Sequence, residues 1–291
     1  MSIVNAKEIM IDAAKNGWAV GAFNVTDLLQ FEAVVEAAIE KRAPVIVQTS
    51  VKPSQFLGTQ MMVNIYRTLA ESAPVPVCLH LDHCTTIDYC KKCADTGYTN
   101  IMIDASKQSY EENIRQTKEV VDYCHSIGKI SVEGELGTVG GVEDQVIVAE
   151  DEAQLANPQQ SIEFVERTGV DIFAPAIGTA HGVYKTKNPK IDFERMAIIH
   201  KMLNSDGIKT PLVVHGGTGL PDDYIVKLLA AGGAKFNVST ELKRVLIDAK
   251  FEYISTHRDE YDPGKLDVFV RDATRKAVIH WMDKLGCEGK A

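Results

Sequence analysis

The chain of 291 residues has 45% hydrophobic and 24% charged side chains with ordinary Gly and Pro counts, a balance that excludes collagen, coiled coil and disorder. Its 40 acidic against 31 basic residues leave a formal charge of -9, the wrong sign for a phosphate-backbone binder, so no nucleic-acid partner is expected and any anionic ligand must be gripped by local groups. No apolar run could cross a bilayer, six cysteines are too few for a disulfide framework, and Lys7, Glu8, Asp12 and Lys15 interrupt the stretch where a signal peptide would be apolar, so a cytoplasmic protein with reduced thiols and no membrane partner is expected.

In chain order, periodicity predicts an N-terminal helix over 6–15, a strand at 20–24, a helix at 28–41 and a strand at 44–48. A helix at 60–72, a strand at 75–81, a helix carrying Cys90 and Cys93, and a strand at 100–104 follow. Then come a helix at 110–127, a strand at 130–135, a long glycine-punctuated segment at 137–158 and a strand at 171–176. The chain closes with a helix at 192–204, strands at 211–215 and 234–238 flanking a helix at 221–231, a helix starting near 241 and a final helix over 266–286. Eight strand–helix units imply right-handed crossovers and one parallel (β/α)8 TIM barrel, a single domain over 1–291 with flanking terminal helices. A doubly wound open sheet lacks its signature, since no GxGxxG follows the first strand.

The reactive face of such a barrel lies at the carboxyl ends of the strands. There the sequence collects Asn24, Ser50, Asp82, His83, Asp104, Glu133, Glu135, His181, His215, Asn237, Ser239 and Thr240. Three imidazoles at one rim, His83, His181 and His215, with an open fourth position, form the ligand set of a catalytic zinc ion. His80 alternates away from the rim and reads as an indirect partner. The segment 137–158 is too long for an ordinary connection and has glycines at 137, 140 and 141 to swing on, so it is expected to be a mobile lid. Gly182, Gly216 and Gly217 let backbone amides approach a ligand, and the helices starting near 221 and 241 offer their N-termini to an anion. Cys90 and Cys93 have CxxC spacing but no second pair, and are expected to pack.

HLDHC (80–84), MIDAS (102–106), VEGELGTVGGVED (132–144), AIGTAHGVYK (176–185), HGGTG (215–219) and NVSTELK (237–243) together resemble the class II, metal-dependent ketose-bisphosphate aldolases, as do AFN (22–24) and QTS (48–50). The length and loop pattern are closest to the tagatose-type or class IIB branch. The resemblance implies Zn2+ on His83, His181 and His215, acting as a Lewis acid on a ketose, and Asp82 as the group that takes the C4 hydroxyl proton. It implies Glu143 on the mobile loop as the group that protonates carbon. Asp104 and Glu135 match positions that take a second or displaced cation, or else tune the first site. The C1 phosphate is implied on Gly182, Gly216, Gly217, Thr218, Asn237, Ser239 and Thr240, with Lys185 near and a monovalent cation beneath; Asn24 and Ser50 also bind substrate. Arg271 matches an arginine that holds the C6 phosphate, in some members across a subunit interface, with Arg275, one turn on, as the alternative. A homo-oligomer, dimer or tetramer, is implied too.

Two departures bear on the substrate. Ser239 stands where fructose-type members carry Asp, nearer the tagatose-type pattern, and HGGTG replaces the commoner HGGSG. Fructose and tagatose 1,6-bisphosphate both stay open, as does another ketose 1-phosphate. The rival chemistries are a Schiff-base aldolase using Lys107 or Lys185 and a sugar-phosphate-binding barrel without catalysis.

Overall fold

The computed structural model describes residues 2–143, 146–148, 154–182, 184, 186 and 188–291, with Val142, Glu143 and Val146–Val148 described by their backbone alone. In chain order the elements are α1 (Ala6–Asn16), β1 (Val20–Asn24), α2 (Leu28–Lys41), β2 (Val45–Ser50), α3 (Val51–Leu57), α4 (Thr59–Ser72) and β3 (Val77–Cys84). There follow α5 (Ile87–Thr96), β4 (Asn100–Ile103), α6 (Tyr110–Ile127), β5 (Ser131–Leu136), β6 (Gly140–Glu143), β7 (Val146–Val148), α7 (Pro158–Thr168) and β8 (Ile172–Pro175). The chain ends with β9 (Ala180–His181), α8 (Phe193–Leu203), β10 (Leu212–Val214), α9 (Asp222–Ala230), β11 (Gly233–Val238), α10 (Thr240–Thr256) and α11 (Pro263–Leu285).

Eight of the strands close a parallel barrel in the order β1-β11-β10-β8-β5-β4-β3-β2. The predicted rhythm is therefore the observed one. The helices begin where local chemistry starts them: Asn5, Asp27, Ser109, Asn157, Asp192 and Asp262 each accept a hydrogen bond from a first-turn amide, satisfying a donor that the helix itself leaves open.

The larger part of the apolar core surrounds the cylinder. It lies between strands and helices, built from side chains such as Phe23, Phe31, Phe164, Phe173, Phe236 and Trp281. Inside the cylinder runs a polar column: Gln48, His80, Asn100, Ser131, Glu133 and Lys235 are all buried and bonded to one another or to the rim. Alternate residues of a strand face opposite sides, so each barrel strand sends one set inward to this polar column and one outward to the apolar shell. At the opposite end from the rim, the N-terminal segment bridges Ile3 to Val77, and Lys7 on α1 pairs with Asp171 at 2.9 Å.

Two segments differ from the sequence reading. Residues 51–57 form α3, seeded directly off β2, where no helix was expected. The segment 137–158 is not a plain loop. Its β6 and β7 form an antiparallel hairpin, and β6 adds Gly140 and Gly141 in parallel to Ala180 and His181 of β9. Gly141 permits that approach, because a Cβ there would lie 2.3 Å from the His181 carbonyl oxygen.

Candidate metal centre and anion recess

Asp82 and His83 are neighbours, and in a regular strand they would face opposite sides. The register of β3 against β4 shifts between Leu81 and Cys84, and His83 takes a left-handed φ of 45°, a conformation costing roughly 1–2 kcal/mol for a side chain of this kind. The irregularity turns both groups to the mouth of the barrel. Such strain persists where the surroundings over-determine it, which is common at functional sites.

The three predicted imidazoles meet. Ring centroids of His83 and His215 lie 4.5 Å apart, His83 and His181 4.9 Å, and His181 and His215 5.8 Å. The outer nitrogens of two of them are committed: His83 Nδ1 donates to Asp104 Oδ2 at 2.9 Å, and His215 Nε2 donates to Glu133 Oε1 at 3.0 Å. That leaves His83 Nε2 and His215 Nδ1 turned toward one another at 3.0 Å, with Asn237 Nδ2 also 3.0 Å from His215 Nδ1. A proton carried by His83, or a cation in its place, joins the two nitrogens. Two nitrogens of a tetrahedral zinc site stand about 3.3 Å apart, so the donor set fits.

Asp104 and Glu135 join His83 in a second group whose ligand atoms fall within 4.8 Å of one another. Burial alone would raise the Asp104 carboxyl, but the hydrogen bond and charge of His83 and the bonds from Ser106 hold it well below the usual range. Burial and the Asp104 charge push Glu135 well above it, and Glu135 Oε2 has no partner among the described residues. A carboxylate left so is a position awaiting a positive charge.

Asp82 is fully buried and ringed by amides. Asn24 Nδ2 donates at 2.9 Å and Gln48 Nε2 at 3.3 Å to Oδ2, while Asn237 Nδ2 donates at 3.0 Å to Oδ1. Gln48 was not singled out in the sequence.

A recess beside the imidazoles is lined by His181, Gly182, Gly216, Thr218, Asn237, Ser239 and Thr240. Gly217 is buried behind it, with its Cβ position 3.3 Å from the Asn237 carbonyl oxygen. The α10 terminus opens there without a side-chain cap, and the buried Ser239 hydroxyl has no partner among the described residues. An oxyanion would complete both. The α9 terminus, with Asp222 and Asp223 in its first turn, is not among the residues that line this recess.

Tyr184, also missed in the sequence, ties the recess together, donating to the Gly216 carbonyl at 2.7 Å and accepting from the Ala180 amide at 3.0 Å. Gly216 has φ 68°, and a Cβ there would meet the Ala180 oxygen at 2.4 Å. Gly216→Ala is expected to cost at least about 1 kcal/mol, lower the Tm and raise KM by displacing β9. Wild-type values in a melt and a saturation curve would contradict this.

Other assignments land elsewhere. His80 faces inward with Asp82, its Nε2 3.9 Å from Asp82 Oδ1, rather than alternating away. Ser50 ends β2 opposite Asp82. Arg271 is not brought to the cluster: it lies on α11 with Nη1 3.5 Å from Glu32 and 3.4 Å from Glu36 of α2. Arg275 pairs with Glu40. Glu143 ends β6, with its side chain outside the described residues, and Lys185 lies outside them altogether. Lys107 is exposed, without the apolar pocket that makes a lysine nucleophilic. Cys90 and Cys93 are buried on α5, and burial raises both thiols, as packing cysteines require.

Burial, then the His83 charge, pushes His215 down to about 4. Between its ordinary value and about 4 the unfolded chain binds a proton that the folded chain refuses, so metal-free stability is lost as pH falls through that window. Glu133 and Asp104, held low, add losses below the ordinary carboxylate range, while the raised Glu135 acts in the opposite sense. The urea midpoint of chelator-treated protein is expected to be lower at pH 5 than at pH 7; equal midpoints would contradict it.

A class-II fructose-bisphosphate aldolase profile matches residues 4–290. The chain is 40% identical over 294 residues to a fructose-bisphosphate aldolase of Geobacillus stearothermophilus, covering all of this chain and 99% of that one. It is 40% identical over 296 residues to one of Staphylococcus aureus, with both chains fully covered. The crystal structure of the YdjI aldolase from Escherichia coli superposes with a TM-score of 0.83 at 30% identity, covering 99% of each chain.

Proposed function

The chain belongs to the class II fructose-bisphosphate aldolases, carbon–carbon lyases acting on sugar phosphates, and from that premise we propose that it reversibly cleaves a ketose 1,6-bisphosphate, fructose 1,6-bisphosphate first, to dihydroxyacetone phosphate and glyceraldehyde 3-phosphate. The carrying observation is the convergence of His83, His181 and His215, whose ligand nitrogens all lie within 4.8 Å of one another. These three residues would hold one Zn2+, which when bound supplies Lewis-acid polarisation of the ketose oxygens. Asp104 orients His83, and Glu135 suits a second divalent cation.

Asp82 takes the C4 hydroxyl proton in cleavage and returns it in condensation. Its three amide donors stabilise the ionised form and keep it an acceptor. Asn24 and Ser50 border it. The C1 phosphate occupies the recess on Gly182, Gly216, Gly217, Thr218, Asn237, Ser239 and Thr240, against the open α10 terminus, with a monovalent cation compatible beneath. Glu143, on the hairpin joined to β9, protonates carbon as that hairpin covers the mouth.

A second reading, a ketose 1-phosphate with a different group at C6, is favoured by the pairing of Arg271 with Glu32 and Glu36. Coupled cleavage assays on fructose and tagatose 1,6-bisphosphates and their 1-phosphates, with and without zinc, decide between them. Turnover confined to 1-phosphates would overturn the first reading, and none with any ketose would favour a binding barrel.

A cytoplasmic site is supported by six buried free thiols, and no helix among the described residues is long and apolar enough to cross a membrane. A homodimer is supported by the stripe of Ile247, Phe251 and Ile254, each at least half exposed along α10, and sedimentation at micromolar concentration tests it.

A further inference from the structure

Beneath His215 the barrel holds a charged pair with no access to water. Glu133 and Lys235 are both fully buried and 2.7 Å apart. Each Glu133 oxygen has its own partner: Oε1 accepts from His215 Nε2 at 3.0 Å and Oε2 accepts from Lys235 Nζ at 2.7 Å. Lys235 Nζ also reaches His80 Nε2 at 3.2 Å, and the far nitrogen of His80 abuts the Asn100 amide, which Ser131 joins. The run descends from His215 through β5, β11, β3 and β4 to the middle of the cylinder.

Burying an ion pair is expensive, and an apolar pair of similar volume often serves stability as well or better. Here the pair does something that an apolar one could not. A carboxylate only accepts, so the imidazole nitrogen facing Glu133 must carry the proton, and the opposite nitrogen of the neutral ring is an acceptor, with Asn237 Nδ2 3.0 Å from it. Lys235 fixes the other oxygen, so the carboxylate cannot turn away.

We propose that Glu133, anchored by Lys235, is a positioning residue that locks the tautomer and ring direction of His215, aiming its Nδ1 lone pair at the point shared with His83 and His181. The inference rests on the reading of those three imidazoles as zinc ligands. Neither Glu133 nor Lys235 touches substrate, and neither is in contact with the anion recess. Outer partners of this kind tune metal affinity by about 10- to 100-fold.

Removing one member alone strands a buried charge and threatens the fold, so the deciding protein is the neutral double variant Glu133→Gln/Lys235→Met, with Glu133→Gln beside it. A glutamine offers either its oxygen or its amide to the ring and so no longer dictates the tautomer. Two measurements apply. Nitrogen-15 histidine NMR of the metal-free protein reads which His215 nitrogen is protonated, and competition with a chromophoric chelator reads zinc affinity.

Wild type is expected to show a single Nε2-protonated His215. The double variant, folded by circular dichroism and cooperative in its melt, is expected to show mixed tautomers and zinc binding about 10- to 100-fold weaker. Unchanged tautomer and zinc affinity in both variants would overturn the inference. The underlying metal reading fails separately, if His181→Ala leaves wild-type zinc affinity unchanged.

Discussion

Asp82→Asn is expected to lower kcat for cleavage by roughly 10²- to 10⁴-fold, the range for losing a positioned general base, with KM and bound zinc little altered. Among the described residues, three side-chain amides converge on this carboxylate. An asparagine has the same shape but keeps a single acceptor oxygen, so at least one of those donors must face an NH2 group. That mismatch costs about 1–3 kcal/mol of stability, which a melting curve separates from the kinetic loss. A variant that stays folded and turns over within about tenfold of wild type would remove Asp82 from the proton transfer.

Chelation is expected to abolish cleavage, and added Zn2+ to restore it, while borohydride with substrate traps no covalent adduct. Of the two lysines the sequence offers for Schiff-base chemistry, Lys107 is exposed and Lys185 lies outside the described residues, while the buried Lys235 is already bonded to Glu133 and His80. The same titration should raise the Tm, because a ligand held only by the folded chain adds about 4 kcal/mol when free metal is a thousand times its Kd. A Tm indifferent to zinc, or activity surviving exhaustive chelation, would contradict the site.

The barrel was legible because its signal is local. Each β-branched run and each amphipathic stretch carries its own period, so β1, α2 and α6 fall on their expected bounds. The meeting of His83, His181 and His215 was legible for a topological reason, since parallel strands put their carboxyl ends at one rim. What escaped depends on partners distant in sequence. Four residues of β6, two of them glycine, show no alternation, and their partner β9 lies about forty positions on. Lys235 does not stand out by residue type, since a lysine in a strand ordinarily faces solvent. Its signal was nevertheless present, two positions before Asn237 and so on the same inward side. The bulge that turns His83 beside Asp82 has no sequence signature at all, nor does the distribution of donors around Asp82.

The polar column also acts as a checksum on assembly. A slip of one position by β3, β5 or β11 against its neighbours would swing His80, Glu133 or Lys235 out of the cylinder and drive it into the greasy layer under the helices. Misaligned closures thus carry an unpaired charge, and the chain rejects them by the same residues that furnish its chemistry.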